Sequence, residues 1–262
     1  MHVATAQLPE IEDSDDKIYI TPNAVIMLDG ASAFVPVPVP ASTFAAQLGQ
    51  RLRDTLTAQP DAALPAALGE AISDTAHTLQ LQPGESPSST VTIARQTDDH
   101  IDLLMLGDNL VMTPEETLTD DRMDALDLAP RRRYRERLTA GSGYDEQHKT
   151  ILRELQTEQA HHRNHEGGYW IAEADPSAAE HAITIQRPCS ATPWLVLATD
   201  GAYNTLRHLG HAAGDTLAAA DQAELADLLA TCQQWETDTD PHGQSLPRSK
   251  RHDDKSIASI NL

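Results

Sequence analysis

Apolar positions along the first eighty residues change from short strand-like runs to a helical period. Apolar runs at 18–20 and 25–28 flank Thr21-Pro22-Asn23, and Pro and Asn between such runs favour a turn, so this segment predicts a β-hairpin. Apolar side chains then recur at helical spacing through 44–56 and 64–79, which predicts two amphipathic helices.

The middle of the chain returns to strand-like patterns. Apolar stretches at 89–95, 101–106 and 110–113 are separated by polar turns at 98–100 and 107–109. Short apolar runs joined by such turns predict an antiparallel meander of three strands.

A polar and charged segment separates these strands from the last third of the chain. We interpret 117–168 as a helical insert within a single domain that spans residues 1–262. Strands are predicted again at 181–185, 194–199 and 256–262, with a helix before the last one. Because strands occur in hairpin-linked runs and helices in pairs, this order favours an α+β fold with antiparallel sheet packed on helices.

Composition narrows the possible partners. The 262 residues carry a formal net charge of −21, and such a chain repels nucleic acid and anionic lipid, so we expect neither as a partner. Only two cysteines are present, and no apolar run approaches the length of a membrane span. We therefore expect a cytoplasmic protein, and the sequence leaves its oligomeric state open.

Two of the apolar runs end in Asp-Gly. Asp29-Gly30 follows the predicted strand at 25–28, and Asp200-Gly201 closes the predicted strand at 194–199. Asp-Gly at the end of a strand is most often a plain turn. Two buried strand ends that each deliver a carboxylate are also a common way to build a metal site from oxygen ligands.

Two further carboxylates stand shortly before predicted strands. Asp16 precedes the first strand and Asp253 the last, so these residues and the two Asp-Gly carboxylates could meet at one end of the sheet. Mg²⁺ and Mn²⁺ prefer oxygen ligands, and two such ions about 4 Å apart can activate a water for attack on a phosphate. Singly, each acidic residue is well explained as surface charge or a turn. Their order along the chain predicts a two-metal site.

The order of these motifs resembles that of the metal-dependent Ser/Thr protein phosphatases, the PPM or type 2C family, over nearly the whole chain. The similar segments are Ser14-Asp15-Asp16-Lys17, Leu28-Asp29-Gly30, Leu106-Gly107-Asp108, Ala198-Thr199-Asp200-Gly201 and Asp253-Asp254-Lys255-Ser256-Ile257. The resemblance implies an antiparallel β-sandwich flanked by helices in four α-β-β-α layers. It also implies that the insert at 117–168 is a flap beside the active site.

The resemblance further implies the ligands and the reaction. The implied ligands of two Mg²⁺ or Mn²⁺ ions are Asp16, Asp29, the Gly30 carbonyl, Asp200 and Asp253. Asp108 would serve a third, weaker ion, and Asp29 and Asp200 would be catalytic through a metal-held water, without a covalent nucleophile. The expected activity is that of a metal-dependent phosphomonoesterase. The resemblance favours a protein phosphoserine/phosphothreonine phosphatase in signalling, whose partner is a phosphorylated protein.

Several positions differ from the family pattern. Ile11 lies near the place where many members have a phosphate-binding arginine, Asn109-Leu110 replaces Ser-Arg, and Lys255 replaces an apolar residue. Two alternative functions therefore stay open. One is a pseudophosphatase that binds a phosphoprotein or another partner without turnover, and the other is a phosphatase for a small phosphorylated metabolite.

A basic run in the insert has two interpretations. The segment Arg131-Arg132-Arg133-Tyr134-Arg135-Glu136-Arg137 could contact a phosphorylated substrate through bidentate arginine side chains. It could also be a solvated helix face that pairs with the acidic residues at 120–127, which we favour. His161, His162 and His165 could bind a transition metal, but a polar helix end explains them better.

Overall fold

Two antiparallel five-stranded sheets form the centre of the molecule, and the computed structural model describes residues 1–262. The ten strands are β1 (His2–Leu8), β2 (Lys17–Ile20), β3 (Ala24–Leu28), β4 (Val91–Gln96), β5 (His100–Leu106), β6 (Leu110–Met112), β7 (Thr117–Leu118), β8 (Ile183–Pro188), β9 (Trp194–Ala198) and β10 (Lys255–Asn261). Sheet I has the order β1-β10-β9-β6-β7, and sheet II has the order β2-β3-β4-β5-β8.

Seven α-helices surround the sheets. They are α1 (Ala41–Ala58), α2 (Leu64–Leu79), α3 (Ala129–Thr139), α4 (Glu146–Ala160), α5 (Asp200–His208), α6 (Gly214–Ala219) and α7 (Gln222–Asp238). The two helices predicted from the spacing at 44–56 and 64–79 are α1 and α2, with Phe44 and Leu48 among the residues that α1 buries. None of these helices has both the length and the apolar character needed to cross a bilayer.

The layers follow from side chains that alternate between the two faces of each strand. In β3, Val25 and Met27 pack against sheet I, whereas Ile26 and Leu28 pack against α1 and α2. In β9 the same alternation directs Leu197 to the interior of the sandwich and its neighbours toward α5 and α7. The fold is an α-β-β-α sandwich, so the predicted α+β class with antiparallel sheets is confirmed.

Two predicted strand pairings are wrong. The segment at 110–113 does not continue the meander, because β6 pairs with β9 and β7 in sheet I, while β5 pairs with β4 and β8 in sheet II. The strands at 181–185 and 194–199 follow each other in the sequence and are predicted as a pair, but they too lie in different sheets. All residues of β6 are buried, so its apolar run gives no period from which the sheet could be assigned.

The two helices of the 117–168 segment pack on each other. Tyr134 and Leu138 of α3 contact Ile151 and Leu155 of α4 in a small apolar cluster that is distinct from the cores of the sandwich. This pair of helices stands beside the edge of the sandwich where the acidic residues lie.

Candidate metal centre

The four acidic residues predicted to bind two metal ions lie at the ends of neighbouring strands. In sheet II, β2 begins directly after Asp16 and pairs with the end of β3, so Asp16 and Asp29 leave the sheet side by side. In sheet I, β10 begins two residues after Asp253 and pairs with the end of β9, so Asp253 lies beside Asp200. The two pairs meet at one edge of the sandwich, where each carboxylate is within the electrostatic reach of the others.

The glycine of each Asp-Gly motif packs against the backbone of another acidic loop. A Cβ atom on Gly30 would lie 2.8 Å from the Asp15 carbonyl oxygen, and one on Gly201 would lie 2.1 Å from the Asp254 carbonyl oxygen. Any side chain at these positions would push the two backbones apart, so the close approach of the acidic loops requires glycine.

Thr199 joins the two sheets at this edge, and it was not among the predicted site residues. Its hydroxyl donates to Asp16 Oδ2 (2.9 Å) and accepts from the Ser256 N–H (3.0 Å). Thr199 also directly precedes α5, which places Asp200 in the first turn of that helix, where the helix dipole favours a negative charge. The available signal was a threonine between a strand and a helix, where threonine is a preferred capping residue, although the Thr199 hydroxyl makes no capping hydrogen bond.

Asp254 connects the first acidic loop to the last. Its Oδ2 accepts from the Ser14 hydroxyl (3.1 Å) and from the Asp15 N–H (2.5 Å). The two acidic segments are 240 positions apart in sequence, and this carboxylate hydrogen-bonds them directly to each other.

Two buried lysines hold the backbone of these loops. Lys17 Nζ donates to the carbonyl oxygens of Ile11 (2.7 Å) and Ser14. Lys255 Nζ donates to the Asp253 carbonyl (2.8 Å) and to Glu236 Oε2 (2.9 Å). The lysine that departs from the family pattern is therefore a structural support for the loop that carries Asp253.

Burial and mutual repulsion oppose ionisation of these carboxyl groups. Burial, with the charges of Asp253 and Asp254, raises the pKa of Asp16 to about 7. The hydrogen bonds that this carboxyl accepts lower the pKa, but they do not cancel the effect of burial. Burial and the neighbouring carboxylates raise the pKa of Asp29 and that of Asp200 well above their usual range.

Asp108 reaches the same place from the loop between β5 and β6. One cleft is lined by four of the predicted ligands: Asp29, Asp108, Asp200 and Asp253. Asp16 lies behind this surface with only 1 % of its area exposed. Burial, with the charge of Asp124, raises the pKa of Asp108 to about 6.

The donor set fits a hard divalent cation. It consists of carboxylate oxygens, and Asp16 Oδ1 is buried without any hydrogen-bond partner, a deficit that a cation would remove. In the structure, no three His, Cys, Asp or Glu side chains are arranged as the ligands of a metal ion. The acidic residues thus surround the cleft without forming a closed coordination shell.

One of the predicted ligands has a cationic partner. Lys250 Nζ lies 2.7 Å from Asp253 Oδ1, and the two side chains are 28 % and 27 % exposed. Burial lowers the pKa of Lys250, but the negative charges of Asp253, Asp254 and Asp29 outweigh this effect and raise the pKa above its usual value. Lys250 stands in a polar loop with no periodic pattern, so it was not predicted as a site residue.

The basic run lies on α3, and most of its arginines are paired. The pairs are Arg131 with Asp124, Arg132 with Asp127, Arg133 with Glu154 and Arg137 with Asp145. Arg131 and Arg132 pair with acidic residues at 120–127, as the solvated-face interpretation expects, although Arg131 is itself buried. Arg133 and Arg137 pair instead with acidic residues of α4 and the loop before it. Arg135 forms no ion pair in the structure and lines the cleft of the acidic residues. The three histidines at 161–165 follow α4 and belong to no group of metal ligands.

Comparisons with known proteins identify the fold. No family model and no curated protein sequence matches this chain. Solved structures match it over nearly its full length. The PPM Ser-Thr phosphatase MsPP from Mycobacterium smegmatis is 16 % identical with a TM-score of 0.55, covering 100 % of this chain and 98 % of its own.

Two further structures give the same result. The catalytic domain of the serine/threonine phosphatase PstP, solved with two manganese ions, is 15 % identical with a TM-score of 0.53, and the match covers 98 % of this chain and 96 % of that one. PppA from Pseudomonas aeruginosa is 12 % identical with a TM-score of 0.50 over 98 % and 95 % of the two chains. This chain has the fold of the PPM Ser/Thr phosphatases, which confirms the resemblance at the level of the fold.

Proposed function

We propose that this chain is a Mg²⁺- or Mn²⁺-dependent phosphomonoesterase that acts on phosphoserine and phosphothreonine in proteins. The observation that carries the proposal is the meeting of Asp16, Asp29, Asp200 and Asp253 at one edge of the sandwich, with each of the two sheets contributing a pair. The fold supports it, since PstP has the same fold and was solved with two manganese ions.

The roles of the residues follow from their positions. In our proposal, these four aspartates and the Gly30 carbonyl hold two cations, and Asp108 holds a third. When bound, the cations would polarise the phosphoryl group and lower the pKa of the attacking water. The chain itself supplies the negative charge that retains them and the contacts that fix the ligands, such as the Thr199 hydroxyl on Asp16.

The insert at 117–168 is proposed as the flap that receives the phosphoprotein. The cleft has the acidic edge on one side and α3 and α4 on the other, with Tyr134, Arg135 and Gln156 among its lining residues. Arg135 would contact the phosphoryl group or an acidic residue of the substrate, because it is the one arginine of the basic run without an anionic partner.

The test is hydrolysis of p-nitrophenyl phosphate and of a phosphothreonine peptide by Asp29→Asn and Asp200→Asn variants over a range of Mn²⁺ concentrations. We expect kcat to fall by about 100-fold or more in each variant, since metal stabilisation of the transition state is worth several kcal/mol. Excess EDTA should abolish turnover by the wild-type protein.

The matched control is Asp98→Asn, which removes a carboxylate from the exposed β4–β5 turn at the far end of sheet II. It should keep the activity of the wild type. Full activity of Asp29→Asn, or of the wild type in excess EDTA, would contradict the proposal. Turnover of p-nitrophenyl phosphate without turnover of phosphopeptides would instead indicate a phosphatase for a small metabolite.

The ion pair between Lys250 and Asp253 favours a second candidate, a pseudophosphatase that binds a phosphoprotein without hydrolysing it. A predicted metal ligand that is already neutralised is consistent with a site that takes up metal poorly. Under this alternative, the wild type would bind a phosphopeptide in a fluorescence titration yet release no phosphate at saturating Mn²⁺.

A further inference from the structure

Lys250 is a cationic residue that contacts one of the predicted metal ligands. Its ammonium group makes the only ion pair in which any of Asp16, Asp29, Asp200 or Asp253 takes part. Its distance to Asp253 Oδ1 is 2.7 Å, and about three-quarters of each side chain is shielded from solvent, so water screens the pair less than it would on an open surface.

The backbone on the N-terminal side of Lys250 is fixed by the insert. The carbonyl oxygen of Ser249 lies 2.8 Å from Nε2 of His148, a residue of α4 with only 2 % of its area exposed. His148 in turn lies edge-on between the rings of Tyr134 and Tyr144. The residue directly before Lys250 is therefore anchored to a packed element of the molecule.

Arg248 provides a second anchor. Its guanidinium donates to Asp240 Oδ2 (2.7 Å) and to the carbonyl oxygen of Arg251 (2.9 Å). The hydrogen bond to Arg251 spans the turn that contains Lys250. The Arg248 and Asp240 side chains are 12 % and 2 % exposed. Because the chain is held on both sides, Lys250 starts from a defined position, and only its flexible side chain is free to move.

The Lys250 ammonium group lies in the same negative electrostatic field that would attract a divalent cation. Besides Asp253, the carboxylates of Asp254 and Asp29 act on it. A cation bound by Asp253 would place two positive charges close to the ammonium, and these would repel each other in a poorly solvated site. Lys250 and a metal ion at Asp253 are therefore competitors for the same carboxylate.

We propose that Lys250 is an internal counter-ion of the metal site, which neutralises Asp253 in the metal-free protein and is displaced when Asp253 binds a divalent cation. This inference rests on the proposed metal site. It gives Lys250 two opposite effects. The lysine stabilises the metal-free fold, and it weakens the affinity for the metal.

The experiment compares wild type, Lys250→Met and Lys250→Arg by calorimetric titration with MnCl₂ and by thermal unfolding in EDTA. We expect Lys250→Met to bind Mn²⁺ at least about fivefold more tightly, the effect of losing one competing ion pair. The same variant should unfold at a lower temperature than wild type in EDTA. Lys250→Arg keeps the charge and should stay close to wild type in both measurements.

The control for net charge is Lys149→Met, which removes a lysine that pairs with Glu146 on the exposed face of α4. It should leave the Mn²⁺ affinity unchanged. Unchanged or weaker Mn²⁺ binding by Lys250→Met would overturn the proposal. Equally tight binding by Lys149→Met would also overturn it, because the effect would then be one of overall charge.

Failure of this inference is distinguishable from failure of the proposed function. Asp29→Asn is titrated in the same series. If wild type and Asp29→Asn bind Mn²⁺ equally, the metal site itself is refuted. If wild type binds, Asp29→Asn does not, and Lys250→Met matches wild type, only the role of Lys250 is refuted.

Discussion

Gly201 shows how a residue without a side chain shapes the acidic site. The space where its Cβ would stand is filled by the Asp254 carbonyl oxygen at 2.1 Å, and Asp253 Cβ lies at 3.0 Å. We predict that Gly201→Ala displaces the loop that carries Asp253, because backbone cannot yield as the end of a side chain can. Overpacking should cost about 1–3 kcal/mol of unfolding free energy. Loss of ligand geometry should weaken Mn²⁺ binding about tenfold or more.

A matched variant separates the steric effect from the effect of alanine itself. Gly69 lies in α2, and a Cβ there would meet its nearest neighbours at 3.6 and 3.7 Å, which is ordinary contact. Gly69→Ala should leave Mn²⁺ affinity unchanged and raise stability slightly, since alanine is the better helix former. Urea unfolding and Mn²⁺ calorimetry of both variants check this. Wild-type affinity in Gly201→Ala would contradict the prediction.

At the scale of single residues, the acidic pattern predicted the positions of the carboxylates but not the residues that contact them. Asp29 and Asp200 were recognisable because each closes a long apolar run. Thr199 acts through a contact with Asp16, 183 positions away, and Lys250 pairs with Asp253, three positions away in a polar loop. The Thr199 contact exists only after the two sheets are packed, and the Lys250 pair depends on the conformation of a polar loop, so the apolar pattern of the sequence did not reveal either.

At the scale of elements, prediction succeeded where the apolar period was long or the turn was short. The helices α1 and α2 and the β2–β3 hairpin match the predicted segments. β1 was missed because Thr and Gln interrupt its apolar residues, and α5 was missed because it follows a strand without a break. Strand pairing across sheets failed for β6, since pairing depends on packing that a local pattern does not contain.

The loop between α7 and β10 is held mainly by one buried ion pair, between Arg248 and Asp240. Asp240 accepts from the N–H groups of Gln244, Ser245 and Leu246 as well as from Arg248. We predict that Asp240→Asn costs about 3 kcal/mol at pH 7, because it leaves the Arg248 charge without its partner in a buried site. Trypsin should then cleave at Arg248 and Lys250 faster than in wild type.

The pH dependence of this effect has a definite sign. Although burial raises it, hydrogen bonds from Ser245, Arg248 and Leu246 hold the pKa of Asp240 below its usual value. Its stabilising contribution is therefore present above the unfolded-state pKa, about 3.9, and is lost as the pH falls through the lower folded-state pKa. The difference between wild type and Asp240→Asn in urea unfolding should shrink at low pH. The exposed variant Asp98→Asn should show no such difference, and a gap that widens in acid would contradict the assignment.

At the scale of the whole molecule, the candidate site lies on the seam between the two sheets. Asp16 and Asp29 lie next to strand ends of sheet II, and Asp200 and Asp253 lie next to strand ends of sheet I, so like charges face each other at the edge of the packed interface. The interface itself is apolar, with Met27 and Leu197 in its interior. The core thus holds together two acidic edges that repel each other, and a divalent cation would turn this repulsion into attraction.

This arrangement predicts opposite effects of one substitution with and without metal. In EDTA at pH 8, Asp29→Asn should be more stable than wild type by roughly 1 kcal/mol, the usual gain when a strained functional site is neutralised. Because its pKa is raised, the Asp29 carboxyl costs more stability as the pH rises above about 3.9, so the gain should be smaller at pH 5.5. At 100 times its Kd, Mn²⁺ should stabilise the wild type by about 2.7 kcal/mol and the variant far less. Thermal unfolding of both proteins in EDTA and in MnCl₂ measures whether the order of their stabilities reverses. An Asp29→Asn protein that is less stable than wild type in EDTA would show that repulsion between the carboxylates does not destabilise the metal-free fold.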